Sequence, residues 1–428
     1  MTRRAAIPAA FFAALVLVGP AHAQAPEAGG EPTLERLTFD EAVERAVTKN
    51  PSVGEASQAI LRAQALLSNA RSVFLPLAYG GVATTVLDEA RGFSGNIVTP
   101  RTQTAFSLTV SYALLDAVRW ASHGHAQDNV TTARAAARET RQHVAVAAAE
   151  AYLAVIVSER QQEIAVRNRD TARALEEYAR ARLDAGQGSR LNHVRAVQQR
   201  AVADSLVELA ELAVRRAQEA LGVAVFADGP VGVRGEPSLA AAVLPDGDAW
   251  LGARPDIQRS TAELRGFDHV VSDAWKSWLP SGTASFTPRY VTPAGLFEPS
   301  KTWRLVFQLD VPLFDRRLAA DRAAKIADRD AARLRLDGLQ TEARAELRNA
   351  QEAVRRNQQI VTSTREAAEA AAEALHITEI AYRAGASTNV EVVQAQQAAR
   401  NGEIEAAVAE DRLRQARLDL LTALGQFP

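Results

Sequence analysis

All 17 prolines of the 428-residue chain fall within 1–100, within 230–312 or at Pro428, so that 101–229 and 313–427 contain none. A proline inside a helix removes one backbone hydrogen bond and clashes with the preceding turn. Two proline-free stretches of this length therefore point to two very long helices. Glycine agrees: none occurs between Gly124 and Gly186, and only Gly338 interrupts 316–384. At 1.5 Å per residue the first run predicts a rod of roughly 90 Å. Alanine supplies 87 of the residues, a content that favours helices packed at close range over several separate cores.

Each rod is expected to end at a glycine and turn back. Gly186-Gln187-Gly188-Ser189 leads into a return helix over 190–221, and Gly385-Ala386-Ser387-Thr388 into one over 388–424. Glycine supplies the left-handed cap and serine the next N-cap. Apolar residues then recur in steps of three and four. They are Val202, Leu206, Leu209, Ala213 and Ala220 in the first return helix, and Ala406, Ala409, Leu413, Ala416, Leu420 and Ala423 in the second. That spacing predicts coiled-coil seams with small knobs.

Before each rod the period changes to two. Phe106, Leu108, Val110, Tyr112 and Leu114 alternate with Ala105, Ser107, Thr109, Ser111 and Ala113; Trp303, Leu305, Phe307, Leu309 and Val311 alternate with Arg304, Val306, Gln308 and Asp310. These are strands with one apolar face. Weaker partners lie upstream, about 77–89 and 281–292, joined through the Gly- and Pro-containing loops 92–100 and 293–299. Strands of this length suit a tilted membrane strand. Four cannot close a barrel, since about eight are needed, and open edges are not tolerated in lipid. A membrane reading therefore requires several copies.

Landmarks repeat. Asn50-Pro51 and Arg254-Pro255, and Phe74-Leu75-Pro76 and Trp278-Leu279-Pro280, are 204 residues apart. Leu115-Asp116 and Phe314-Asp315, Ala185-Gly186 and Ala384-Gly385, and Ala196 and Ala395 are 199 apart; Leu221-Gly222 and Leu424-Gly425 are 203 apart. The chain therefore reads as a tandem duplication of helix, strand hairpin, long helix, tip and return helix. The expected division is a signal peptide at 1–23, a flexible segment at 24–33, a first repeat at 34–222, a connecting segment at 223–250 and a second repeat at 251–428. The signal peptide rests on Arg3 and Arg4, an apolar core too short to span a bilayer, and Ala21-His22-Ala23 before Gln24. Gln24 in place of a cysteine does not fit a lipoprotein.

The chain has no cysteine, which excludes a disulfide framework, a thiol nucleophile and a cysteine zinc site. Lys+Arg 49 against Asp+Glu 51 leaves no electrostatic footprint for nucleic acid. His123 and His125 flank Gly124, but no third ligand lies at suitable spacing, and His143 would be about 27 Å along the helix. No phosphate-cradling glycine loop or nucleophile elbow occurs. Neither a metal, a cofactor nor an enzymatic activity is expected.

In this order, LTFDEAVERAVTKNPSV, the Leu75-Pro76 before the first strand, ARPDI, WLP, VPLFD, AYRAGASTNVEVVQAQ and the closing ALG resemble the TolC-like outer membrane efflux protein family over essentially all of the chain after the signal. The resemblance implies a mainly α fold with a small membrane β-barrel. Three copies would give a homotrimer whose 12-stranded β-barrel is continued by a periplasmic α-helical barrel. It further implies the exit duct of an efflux or type I secretion system in the outer membrane of a Gram-negative bacterium, with a periplasmic membrane-fusion adaptor and an inner-membrane transporter as partners.

Carried over residue by residue, the family's acidic gate pair falls on Glu391 and Gln394, of which only the first is acidic. Its closed-state contacts fall on Tyr382 and Asn192, with Leu191 and Ser387 where a hydroxyl and an arginine would stand. Its adaptor-docking tips fall on Ala185, Gly186, Gln187 and on Ala384, Gly385, Ala386. Asp116 and Asp315 are expected to cap the long helices, and ALLDAVRW departs from the VPLFDRRL of the second half. The competing reading, from pattern alone, is a soluble periplasmic coiled-coil structural or adaptor protein.

Overall fold

A computed structural model of the chain describes residues 34–239 and 247–427. The expected signal peptide and the segment 24–33 lie outside the described residues. Strand β1 (Glu35–Leu37) leads into α1 (Phe39–Lys49), which Thr38 and Glu41 cap reciprocally. Pro51 then opens α2 (Pro51–Ser72), where its missing N–H costs nothing. The first half continues through β2 (Leu77–Val86), β3 (Arg91–Phe93), β4 (Asn96–Thr99), β5 (Thr102–Leu115), α3 (Ala117–Asp184), α4 (Arg190–Ala224) and β6 (Val231–Val233). The second half has α5 (Pro255–Asp273), β7 (Ser281–Thr292), β8 (Lys301–Asp310), α6 (Arg316–Arg383) and α7 (Asn389–Ala423).

The rods α3 and α6 have 68 residues each and the return helices α4 and α7 have 35 each, so each rod is about 100 Å long. The first rod begins at Ala117 and runs through Gly124, earlier than the glycine pattern predicts. Helix starts differ by 204 residues up to the hairpins (Pro51, Pro255) and by 199 after them (Ala117, Arg316). The difference, 204 − 199 = 5, lies in the first hairpin's connection, where β3 and β4 form a small hairpin in place of the expected plain loop. The offset of 199 persists to the helix ends, which corrects the match of Leu221-Gly222 with Leu424-Gly425. The residue standing opposite Gly425 is Phe226, and both adopt positive φ, 53° and 66°. Phe226 and Gly425 close the same helix-end motif, their N–H groups donating to Val223 and Thr422.

Strands β2, β5, β7 and β8 form one antiparallel sheet in that order. Register places Val82 beside Phe106, Val110 beside Phe286, and Phe286 beside Leu305. One face therefore carries Val82, Phe106, Leu108, Val110, Phe286, Tyr290, Trp303, Leu305, Phe307 and Leu309. The other carries Thr109, Ser111, Thr283, Ser285, Thr287, Arg304 and Gln308. Along β5 the small residues are half-buried while Phe106, Leu108 and Tyr112 stand exposed. The sheet thus curls with its polar face inward and its apolar face outward. β2 and β8 each have a neighbour on one side only, and every residue of both is exposed. β5 passes into α3 through Asp116 alone, whereas β8 stops at Asp310, since Pro312 cannot donate to a ladder. Leu313 and Phe314 in that gap are left 89% and 84% exposed, so the two strand-to-helix passages do differ.

Below the sheet the helices form a curved wall. Near the strands its order is α2, α3, α5, α6; toward the tips it is α4, α3, α7, α6. Alanine makes this possible: Ala145, Ala148, Ala149, Ala196 and Ala343 are fully buried, letting axes approach closely. At mid-height a compact core gathers Ala42, Val43 and Ala46 of α1, Tyr152 and Leu153 of α3, Leu221 of α4, Leu418 of α7 and Phe427. The Tyr152 hydroxyl donates to the Gly235 carbonyl at 2.9 Å. β1 and β6 pair in parallel beside this core, so part of the expected connecting segment is a strand. The predicted seam of α7 holds at Ala409, Ala416, Leu420 and Ala423, all buried. That of α4 does not. Its buried face is Ala196, Ala203, Val207, Val214 and Leu221, while Val202 and Leu209 are exposed. α4 carries two apolar stripes, and the periodicity picks the more exposed one, in which Leu206 alone of the large side chains is half-buried.

Candidate gate at the hairpin tips

The ends of the rods farthest from the sheet carry every candidate gate and docking residue. Each tip is built the same way. The N–H of Gly186 reaches Leu183 and that of Gln187 reaches Arg182; Gly385 and Ala386 do the same to Tyr382 and Ala381. The central glycines sit at φ 71° and 78°, a left-handed conformation that costs a Cβ-bearing residue roughly 1–2 kcal/mol. Ala185, Gly186, Gln187, Ala384, Gly385 and Ala386 are all exposed, forming two blunt, nearly side-chain-free knobs.

The helices leaving the tips are capped differently. Ser189 accepts from Leu191 N–H at 3.2 Å. At the second tip the expected Ser387 gives way to Thr388. Its hydroxyl accepts from Glu391 N–H, and Glu391 accepts from Thr388 N–H at 2.9 Å and from the Ser387 hydroxyl. Ser387 is displaced because the reciprocal cap needs a hydroxyl three residues before a carboxylate, a signal present in the sequence as Thr388-Asn389-Val390-Glu391. The Ser387 hydroxyl and the Thr388 backbone hold the Glu391 carboxyl below the usual carboxylate range. Glu391 is exposed and ionised, and the helix N-terminus favours its charge. Gln394, one turn on, is exposed as well.

Tyr382 is buried in a small core with Leu175 and Val392. Its ring meets Tyr178 edge-on at 5.6 Å, and Arg182 lies over the Tyr178 face. Asn389 Nδ2 donates to the Tyr382 hydroxyl at 3.4 Å, and Asn389 Oδ1 is buried without a partner. Asn192, on the other tip, is half-buried. The structure thus gives Tyr382 an Asn389 partner from its own hairpin. Asn389, Tyr178 and the buried Gln396 belong to the tip and are missed by the sequence reading. Only packing of α3 against α6 and α7 reveals them.

Higher up, Glu410 of α7 accepts from Arg160 of α3 and Arg365 of α6, and Glu236 accepts from Arg160 and Arg414. Burial opposes ionisation of Glu410, but Arg365 and Arg160 outweigh it and lower its pKa. This network ties two rods and a return helix together. Asp116 and Asp315 cap α3 and α6 as expected, accepting from Arg119 and Arg317 N–H at 3.0 and 2.9 Å. The histidines disperse: His123 lies against Arg71, His125 against Asp273 and His269 against Asp128. No metal-holding group of three such side chains occurs among the described residues.

Residues 248–426 match the family model described as outer membrane efflux protein. That match covers the second half of the chain. No curated protein matches the chain in sequence. Among solved structures, the outer membrane protein VceC from Vibrio cholerae is similar at 18% identity and TM-score 0.76, over 90% of this chain and 96% of that one. A membrane protein from Pseudomonas aeruginosa is similar at 20% identity and TM-score 0.80, over 91% of each. The open state of the Neisseria gonorrhoeae MtrE outer membrane channel is similar at 19% identity and TM-score 0.77, over 90% of this chain and 88% of that one. The efflux-protein fold therefore extends through both halves. At these identities it is the architecture that is shared.

Proposed function

We propose that three copies of this efflux-family chain close into a passive exit duct in the outer membrane of a Gram-negative bacterium. The observation that carries this is the sheet: a curled four-stranded segment with an apolar outer face, a polar inner face and two unpaired edges. Each edge stands above an open helix of the same side, β2 above α2 and α4, β8 above α6. Three copies give 3 × 4 = 12 strands, a closed barrel with no edge left to lipid. The rods would continue that bore through the periplasm. The division into repeats at 34–222 and 251–428 around a connecting 223–250 belongs to this reading.

The duct performs no catalysis and needs no cofactor; it conducts what an inner-membrane transporter and a periplasmic adaptor deliver, in an efflux or type I secretion system. Three Glu391 carboxylates would ring the tip entrance, with Gln394 above them, attracting cations and repelling anions. Tyr382 and Asn192 would shape the closed tip, and the two glycine knobs, at 185–187 and 384–386, would receive the adaptor. No described helix is long and apolar enough to cross a membrane. Fractionation tests the reading. The protein should require detergent for extraction and migrate as a heat-modifiable trimer. A freely soluble periplasmic monomer would favour the coiled-coil structural reading instead.

A further inference from the structure

At the far end of the sheet, Val291 of β7 pairs with Ala105, which places it on the inner, polar face. An open four-stranded sheet should leave that face wet, yet Val291 is only 1% exposed. The loop 293–300 between β7 and β8 runs beside it: the Val291 N–H donates to the Ser300 carbonyl at 2.8 Å, and Gln103 Nε2 donates to the Pro293 carbonyl at 3.4 Å. Glu298 of this loop accepts from Arg289 at 2.7 Å and from Gln103 at 2.9 Å. By register both partners lie on the inner face, Gln103 beside Thr85 and Arg289 beside Ser107. The loop therefore leans over the bore side of the sheet. Gly295 is seated so tightly on β4 that a Cβ there would lie 2.3 Å from the Val98 carbonyl oxygen. β4 belongs to the five-residue excess of the first half, so the extra hairpin serves as the seat for the second half's loop. Leu296 and Phe297 at the turn are 53% and 80% exposed.

We propose that loop 293–300 is a lid over the outer mouth, latched by the Glu298 carboxylate to Arg289 and Gln103 and wedged at Gly295. This rests on the duct reading. Three such lids narrow the mouth against inward passage of bulky solutes and must swing aside for export. The latch is two hydrogen bonds to one carboxylate, one of them from a guanidinium, at a partly solvated site. That is enough to hold a loop closed and weak enough to open.

The chain has no cysteine, so single thiols report directly. On intact cells, a membrane-impermeant maleimide should label Phe297→Cys quickly and Val291→Cys at least about tenfold more slowly, as expected for a site reached by local opening. Adding Glu298→Ala, or separately Gly295→Val, to Val291→Cys should speed labelling about tenfold, the loss expected for a charge-assisted hydrogen bond. The charge swap Arg289→Glu with Glu298→Arg should slow it again. Equal rates at Val291→Cys and Phe297→Cys, or no acceleration by either variant, would overturn the lid. Failure of Phe297→Cys to label in whole cells, with labelling after lysis, would overturn the duct reading and the lid with it.

Discussion

The rods α3 and α6 have the same length and the same position in the repeat, yet 17 residues of α3 are buried and six of α6. α3 has a helix on either side along its whole length, whereas α6 has α5 and α7 on one side only. The return helices show the same asymmetry. α7 lies between two rods, while α4 packs on one and leaves Val202, Leu209 and Leu212 in the open. The two halves are similar in their elements, but only the inner elements are satisfied. The unsatisfied ones, β2, α2 and α4 on one side and β8 and α6 on the other, are what a neighbouring copy would cover. The largest test of that contrast is in the sheet. Leu108→Arg, on the outer face, should cost roughly 2–4 kcal/mol of assembly near mid-bilayer, read as loss of trimer on unheated gels. Thr109→Arg, on the inner face, should leave the trimer intact.

Next in size is the contrast between the two stripes of α4. Ala203 is 1% exposed against α3, so Ala203→Leu overpacks the seam and should destabilise the fold by roughly 1–3 kcal/mol in denaturant melts. Leu209→Ala, on the open stripe, should leave the fold of a single copy unchanged and weaken the association between copies. Equal effects of both on association would show that the open stripe has no partner. A smaller test compares the helix ends. Phe226→Gly should stabilise by about 1–2 kcal/mol, because it relieves a left-handed side chain. Gly425→Phe should destabilise by more, since a Cβ there would lie 2.9 Å from Ala253.

The smallest effect is at the tips. The folded-state pKa of Glu391 is lowered, so its contribution is complete above the unfolded carboxylate value of about 4.3 and is lost as pH falls below it through the folded value. Amide protection over 388–391 should therefore fall between neutral pH and pH about 3, while protection over 189–192, capped by a hydroxyl, should not. In reconstituted channels Glu391→Ala should weaken cation selectivity and Gln394→Ala should not. Unchanged selectivity in both would remove Glu391 from the gate and leave it a cap.

Much of this architecture is legible in the residues. Missing proline locates the rods, the glycines locate their turns, and the alternation around Phe106 and Trp303 identifies the sheet's outer face. The seam of α4 was not legible because two apolar stripes at similar spacing compete, and periodicity cannot tell which one the chain itself covers. Phe226 hid the true offset because a bulky residue in a left-handed position gives no signal. At the tips the reciprocal cap of Thr388 and Glu391 could have been read from its spacing. Partnership of Tyr382 with Tyr178 and Asn389 depends on contacts between α3, α6 and α7, as does the Glu410 network. Strand β6 is three residues long and pairs with another of three, too short for any period to register.

The central claim is that the open edges of this chain close on copies of itself. Its most direct test is the mass of the detergent-extracted particle, measured before and after heating. The account predicts a particle of three chains, which separates on heating into single chains of at most 46.0 kDa. A single-chain particle in detergent before heating, with the sheet edges still unpaired, would contradict it.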